Sequence, residues 1–60
     1  MIKVVQQGNA WRIERHRDGN KTEIYTRDGK WGVNYNWTAF FATKEEAQRR
    51  AQFLARHEVE

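Results

Sequence analysis

The feature that most constrains the fold is a run of twenty residues from Asp28 to Ala47, DGKWGVNYNWTAFFATKEEA. The run opens with Asp28-Gly29, a dipeptide typical of tight hairpin turns, because glycine tolerates a positive φ. It holds five of the eight aromatic side chains of the chain. It ends with Thr43 followed three residues later by Glu46, the pattern of a helix capping box. The sequence therefore predicts a ring-bearing hairpin strand that leads directly into a capped helix.

Two further turn signals divide the preceding residues into strands. Gly8-Asn9 favours a two-residue hairpin turn, and Arg17-Asp18-Gly19-Asn20 indicates a four-residue connection. With the turn at 28–29, they predict four strands rich in β-branched and aromatic residues, at 2–7, 10–16, 21–27 and 31–37. Each strand is joined to the next by a short turn, so we expect an antiparallel meander.

Hairpin turns set strand register, so the same turns predict which side chains lie opposite one another. The three predicted registers join into one row of β-branched side chains: Val4, Ile13, Ile24 and Val33. Trp31 and Tyr35 are predicted on the same face, so we interpret the aromatic strand as core rather than as a surface for stacking bases. The other face is predicted to be polar and solvated, as is common in antiparallel sheets.

One amphipathic helix is predicted to close the core. It is expected from Lys44 to about His57, with one apolar stripe formed by Ala47, Ala51, Leu54 and Ala55. The three alanines allow a close approach to the sheet, whose rings supply the volume. We therefore predict a single small α+β domain spanning residues 1–60, a four-stranded antiparallel meander with one C-terminal helix packed on one face (ββββα).

The composition excludes several classes of protein. The chain contains no cysteine and no serine, so it has neither a disulfide framework nor a Ser or Cys nucleophile. His16 and His57 have no second ligand at metal-binding spacing. No apolar run approaches the length of a membrane span, and no leader is present. We expect no enzyme activity, no cofactor, no metal site, no contact with membranes and a cytoplasmic location.

The charge of the chain favours a polyanionic partner. The formal net charge is +3 and the isoelectric point is near 9.7. The leading hypothesis is therefore a small, non-enzymatic nucleic-acid-binding accessory protein that uses the polar sheet face and the basic loop after the second strand. Its candidate contact residues are Arg12, His16, Arg17, Lys21, Tyr25, Asn34 and Asn36. Glu14 and Glu23, predicted opposite each other on that face, would repel phosphates.

Two segments resemble a known DNA-binding family. GKWGVNY (29–35) followed by FFATKEEAQRRA (40–51) is similar to the arm-site DNA-binding domain at the amino terminus of phage-type tyrosine recombinases. That family reads G-x-W-x-V-x-Y and then F-x-T-K-x-E-A, but the basic hairpin that usually lies between the two patterns is missing here. The family's three-stranded sheet packs on a helix and enters the major groove. The resemblance therefore implies DNA binding and a phage or mobile-element origin, with Arg12, Tyr25 and Asn34 as face-equivalent candidates. Small uncharacterised bacterial and phage proteins carry a similar pattern.

The alternative hypothesis is a protein-interaction module or inhibitor. It would act through an exposed strand edge or through the outer face of the helix. The helix residues concerned are Arg49, Gln52, Phe53 and Arg56. Exposure of Phe53 or Trp37, or formation of a stable homodimer, would favour this alternative. The sequence leaves open whether Trp37, Phe40 and Phe53 are buried or exposed.

Overall fold

Four antiparallel strands and one helix make up the fold of the chain. The structure is a computed structural model and describes residues 1–57. The elements are β1 (Ile2–Gln7), β2 (Ala10–Arg15), β3 (Glu23–Tyr25), β4 (Trp31–Gly32), a 3₁₀ turn (Tyr35–Trp37) and α1 (Lys44–Arg56). The strands form one sheet in the order β1-β2-β3-β4. The predicted ββββα architecture is confirmed.

The first hairpin has the predicted turn and register. β1 and β2 pair along their whole lengths, and Val4 lies opposite Ile13. Gly8 has a φ of 61°, which fits the first central position of a type II′ turn. This turn matches the twist of the flanking strands, so the hairpin continues without a bulge.

The predicted registers of the other two hairpins are wrong by one residue. Ile24 lies opposite Glu14 on one side and opposite Gly32 on the other. The turn at 17–20 is present, with the Asn20 N–H donating to the Arg17 carbonyl at 3.1 Å. However, the connection between the paired strands extends over residues 16–22. The longer connection shifts β3 by one position relative to β2.

The third hairpin has a three-residue loop at 27–29 in place of the predicted two-residue turn. The Gly29 N–H donates to the Thr26 carbonyl at 3.0 Å, and the Thr26 N–H donates to the Lys30 carbonyl at 2.8 Å. Gly29 has a φ of 79°. A type I turn followed by a left-handed residue has this pattern. The additional loop residue accounts for the shift of β4.

The shifts exchange Ile24 and Tyr25 between the two faces of the sheet, because neighbouring side chains of a strand point to opposite faces. Tyr25 shares a face with Ile13, and its ring contacts Trp31 edge-on at 5.8 Å and stacks with Phe41 at 6.5 Å. We call this the helix face, because α1 packs there against β1 and β2. Ile24 is fully buried on the opposite face, which is therefore not polar and solvated throughout.

Residues 37–41, which we call the inserted segment, fill a gap between β2 and β3. The two strands pair directly at 14–24 and 15–23. Beyond these pairs the Ala39 N–H donates to the Tyr25 carbonyl at 3.0 Å. On the other side of the gap, Phe41 and Trp11 exchange hydrogen bonds of 2.8 and 2.9 Å. The strand predicted at 31–37 thus ends after Gly32, and the chain returns into the sheet.

The helix begins at the predicted cap. The Glu46 N–H donates to the Thr43 hydroxyl oxygen at 3.1 Å, and the Thr43 hydroxyl lies 3.4 Å from the Glu46 carboxylate. Ala47 is fully buried, and Ala51 and Leu54 are half-buried, whereas Ala55 is exposed. The predicted stripe therefore faces the sheet along most of its length.

Candidate functional site

Two of the predicted contact residues, Arg12 and His16, converge on the carboxylate of Glu14. Arg12 donates from Nε and Nη2 to Glu14 Oε2 at 3.0 and 2.7 Å, and His16 Nε2 lies 3.0 Å from Oε1. Glu14 is only 8% exposed. Burial by itself would raise the pKa of Glu14, but the hydrogen bonds from Arg12 and His16 outweigh it and hold the pKa below its usual value. This cluster is a neutralised structural unit.

Glu23 is paired in a similar way, on the other face of the sheet. It lies opposite Arg15, not opposite Glu14 as predicted. Its Oε1 accepts a hydrogen bond from Arg15 Nε at 2.9 Å and lies 3.1 Å from Arg17 Nη2. The hydrogen bond from Arg15 holds the pKa of Glu23 below its usual value. The pair of repelling carboxylates expected on the polar face is therefore not formed.

The structure does not bring the seven predicted contact residues onto one surface. Tyr25 lies on the helix face among other rings, so its assignment to the polar face with Arg12 is wrong. Lys21 is exposed in the loop at 16–22. Asn34 and Asn36 are exposed beside the 3₁₀ turn, where the Asn36 N–H donates to Asn34 Oδ1 at 3.0 Å. These two asparagines belong to a different surface.

That surface consists of residues 33–40, which we call the aromatic segment. Its large apolar side chains are at least half exposed, with exposed fractions of 60% for Val33, 50% for Tyr35, 57% for Trp37 and 52% for Phe40. The prediction that Tyr35 forms core is therefore wrong. The chain leaves β4 after Gly32, so the residues that follow do not continue the strand whose alternation would have turned Tyr35 inward.

Cations accompany the exposed rings of the aromatic segment. The guanidinium of Arg12 lies 5.7 Å from the Tyr35 ring centre, and that of Arg27 lies 6.0 Å from the Trp37 ring centre. Arg27 Nη2 also donates to the Asn36 carbonyl at 3.0 Å. A pocket of about 340 Å³ beside Trp37 is lined in part by Lys30. The arrangement offers flat apolar faces with positive charge beside them.

Sequence reasoning missed Arg27 and Lys30, although a signal for them exists. Residues 29–44 contain no acidic side chain, although Asp28 directly precedes them and lines the same pocket as Lys30. The missing acids and the rings occur in the same stretch. Because these rings were predicted to be buried, the lack of acidic side chains beside them did not indicate a binding surface.

The outer face of α1 carries the second candidate surface. Phe53 is 50% exposed, and Arg49, Gln52 and Arg56 are exposed as predicted. A groove of about 400 Å³ is lined by Phe41, Glu46, Arg49, Arg50 and Phe53; we call it the helix groove. Arg50, which sequence reasoning missed, lies 5.4 Å from the Phe53 ring centre. Its position three residues before Phe53 is the signal that could have found it.

Within residues 1–57, no group of three or more His, Cys, Asp or Glu side chains could hold a metal ion. The described part of the chain contains no helix of the length and apolarity needed to cross a membrane. Comparison of the chain with protein-family models, curated proteins and solved structures found no significant match.

Proposed function

We propose that this chain is a small, non-enzymatic protein that binds single-stranded nucleic acid through the aromatic segment, Arg27 and Lys30. The proposal keeps the partner class that the charge favours and moves the contact surface away from the sheet face. The observation that carries it is a pair of half-exposed rings, Tyr35 and Trp37, of which Trp37 lies beside the guanidinium of Arg27, a side chain outside the ion pairs described for residues 1–57.

Stacking explains why a single strand is the preferred form of the ligand. An unpaired base can lie flat on an exposed ring, and such contacts contribute about 1–3 kcal/mol per base. In a duplex the bases are already stacked on their neighbours, so they offer no free base face to Tyr35 and Trp37. Arg27 lies beside the Trp37 ring and Lys30 lines a pocket with Trp37, so both side chains would be within reach of the phosphates of a base stacked on that ring.

The charge distribution supports the same partner. Glu14 and Glu23, which would repel a phosphate chain, are each paired with arginine. The Lys and Arg side chains outside the ion pairs described for residues 1–57 are Lys3, Lys21, Arg27, Lys30, Lys44, Arg49, Arg50 and Arg56. The surplus positive charge of the molecule therefore lies on side chains that remain open to a polyanion.

Trp37→Ala tests the proposal against a matched control, Phe53→Ala. Both changes remove a ring that is about half exposed, but Phe53 lies on α1 and not in the aromatic segment. In a fluorescence-anisotropy titration with a labelled oligothymidylate, we expect Trp37→Ala to weaken binding by about 5- to 100-fold, the equivalent of losing one stacked base. Phe53→Ala is expected to bind like the wild type.

Two outcomes would contradict this proposal. The first is an affinity for the oligothymidylate that Trp37→Ala leaves unchanged. The second is an absence of binding by the wild-type chain at low salt, where contacts to phosphates are strongest. Circular dichroism of each variant confirms that the fold is intact.

A protein-interaction role is the second candidate, because both Phe53 and Trp37 are exposed. The helix groove combines apolar surface from Phe41 and Phe53 with the cations of Arg49 and Arg50, a composition common at protein interfaces. Capture of a protein by the immobilised chain, lost with Phe53→Ala and retained with Trp37→Ala, would support this role. The two variants thus have opposite effects under the two candidate functions.

A further inference from the structure

The outer edge of β1 is a surface separate from both the aromatic segment and the helix groove. β1 lies at the edge of the sheet and is six residues long without a bulge. It contains no proline, and its one charged side chain is Lys3. Natural edge strands usually avoid pairing through shortness, prolines, bulges or charged side chains, especially lysine; of these devices β1 carries only Lys3. The opposite edge follows this rule, because β4 is only two residues long.

The hairpin hydrogen bonds determine which backbone groups of β1 point outward. Met1 and His16 exchange hydrogen bonds of 2.6 and 2.7 Å. Hydrogen-bonded pairs alternate along an antiparallel ladder, so every second residue after Met1 bonds to β2. The residues whose N–H and C=O groups face outward are Ile2, Val4 and Gln6. Within residues 1–57, no further strand covers this edge and no backbone hydrogen bond to these groups comes from outside the sheet.

We infer that two copies of this chain pair through β1, antiparallel and about a two-fold axis at Val4. In this register Val4 bonds to Val4 of the second copy, and Ile2 bonds to Gln6 of the second copy. Each such pair exchanges about two hydrogen bonds, so every outward-facing group finds a partner. The two sheets become one continuous eight-stranded sheet.

Side-chain placement favours a second copy over an unrelated peptide as the occupant. On the helix face, the β-branched Val4 lies against itself. On the opposite face, Lys3 lies across from Val5 of the second copy, so no like charges are directly opposed. The edges that remain are the two short β4 strands, and the dimer therefore leaves no long edge open.

The proline variant Gln6→Pro tests the pairing, with Gln6→Ala as its matched control. Proline removes an outward N–H and leaves the hydrogen bonds between β1 and β2 in place. Alanine removes the side chain and its hydrogen bond to the Gly8 carbonyl but keeps the outward N–H. By sedimentation equilibrium from about 10 µM to 1 mM, we expect wild type and Gln6→Ala to dimerise. Gln6→Pro, checked for folding by circular dichroism, is expected to dimerise at least about tenfold more weakly.

Hydrogen exchange locates the contact without a mutation. The Val4 amide faces solvent in a monomer and is bonded in the dimer, so its protection is expected to rise with protein concentration. The Val5 amide bonds to β2 in both states and serves as the internal reference. A wild-type chain that stays monomeric to 1 mM overturns the inference. So does a dimer that Gln6→Pro forms equally well, or one in which Val4 remains unprotected.

Discussion

Glu14 shows how a single side chain can reverse its apparent role between sequence and structure. On a solvated sheet face it would repel a phosphate chain. In the fold it is buried, and it joins Arg12 and His16 into one hydrogen-bonded cluster. A buried carboxylate is costly unless it is paired and hydrogen-bonded, and this one is satisfied on both oxygens. The cluster therefore stabilises β2 and does not form part of a binding surface.

The stability of the Glu14 cluster depends on pH with a defined sign. The folded-state pKa of Glu14 lies below the reference value of 4.5. Its contribution to stability is therefore fully present above about pH 4.5 and is lost as the pH falls through the folded-state pKa. We expect Glu14→Gln to lower the free energy of unfolding at pH 7 by about 1–3 kcal/mol, the scale of hydrogen bonds to charged groups. The difference from wild type is expected to shrink near pH 3.

Urea denaturation at the two pH values measures this difference. Asp18→Asn is the control, because Asp18 is exposed in the loop at 16–22, away from any helix end, and forms no ion pair within residues 1–57. It is expected to change stability little at either pH. A loss in Glu14→Gln that is equally large at pH 3 would show that the charge of Glu14 is not what stabilises the cluster.

At the scale of elements, turn signals located the three hairpin connections but did not fix every register or the end of β4. The first hairpin, the helix and its Thr43 cap are predictable because each rests on local chemistry. Asp28-Gly29 is compatible with a two-residue hairpin loop and with a three-residue hairpin loop. The buried Thr26 hydroxyl favours the longer loop, since it donates to the Asp28 carboxylate and its oxygen accepts from the Lys30 N–H at 3.3 Å. Whether Thr26 is buried is a tertiary property that the dipeptide does not encode.

The early end of β4, and not the register shift, explains why the candidate surface was missed. In the predicted sheet Tyr35 lies in the core. Even an exposed Trp37 would therefore have no aromatic neighbour on the predicted surface. The early end of β4 places both rings outside the core. Arg27 also takes its position beside Trp37 only once the chain returns into the sheet. The charge read from the sequence favours the partner class that we propose, whereas the proposed surface depends on where β4 ends.

A double-mutant cycle tests the observed register directly. Ile13 and Ile24 are both fully buried, but they lie on opposite faces of the sheet. We expect Ile13→Val and Ile24→Val each to cost about 0.5–1.5 kcal/mol. Because their side chains point away from each other, the two costs are expected to add within about 0.5 kcal/mol.

Val4→Ala combined with Ile13→Val supplies the positive control for that cycle. These two residues lie opposite each other in β1 and β2, so their substitutions are expected to couple by more than about 0.5 kcal/mol. Equally strong coupling between Ile13 and Ile24 would indicate that both side chains lie on one face of the sheet, contrary to the observed register. Chemical denaturation of the single and double variants provides all the values required.

For the molecule as a whole, net charge and available charge are different quantities. The formal charge of +3 is read directly from the sequence. The arginines on β2 and in the loop after it are occupied by carboxylates, whereas Arg27, Lys30 and the cations of α1 take part in none of the ion pairs described for residues 1–57. Only the structure separates these two groups. The available charge of Arg27, Lys30 and the α1 cations lies at the β3–β4 loop and on the helix, away from the centre of the sheet.

Salt distinguishes the two interactions proposed for this molecule. The logarithm of the affinity for single-stranded DNA is expected to fall linearly with the logarithm of the salt concentration, by about 0.7 per phosphate contacted. Arg27→Gln or Lys30→Gln is expected to reduce that slope by about 0.7, whereas Trp37→Ala leaves it unchanged. Dimerisation through β1 joins molecules of like charge, so added salt is expected to strengthen it. Slopes for Arg27→Gln and Lys30→Gln equal to the wild-type slope would exclude contacts from these side chains to phosphates.

The inserted segment also has a consequence for how the chain folds. The three hairpins and α1 close through contacts between residues near in sequence, and such elements form within microseconds. The pairing of Trp11 with Phe41 joins positions far apart in the chain, and the segment also pairs with the β3 side through Thr38 and Thr26, so its contacts are complete only when both strands are in place. Contacts of this kind carry the larger loop-closure entropy and slow the overall rate. We therefore expect folding to end with the entry of residues 37–41 between two strands that are already formed.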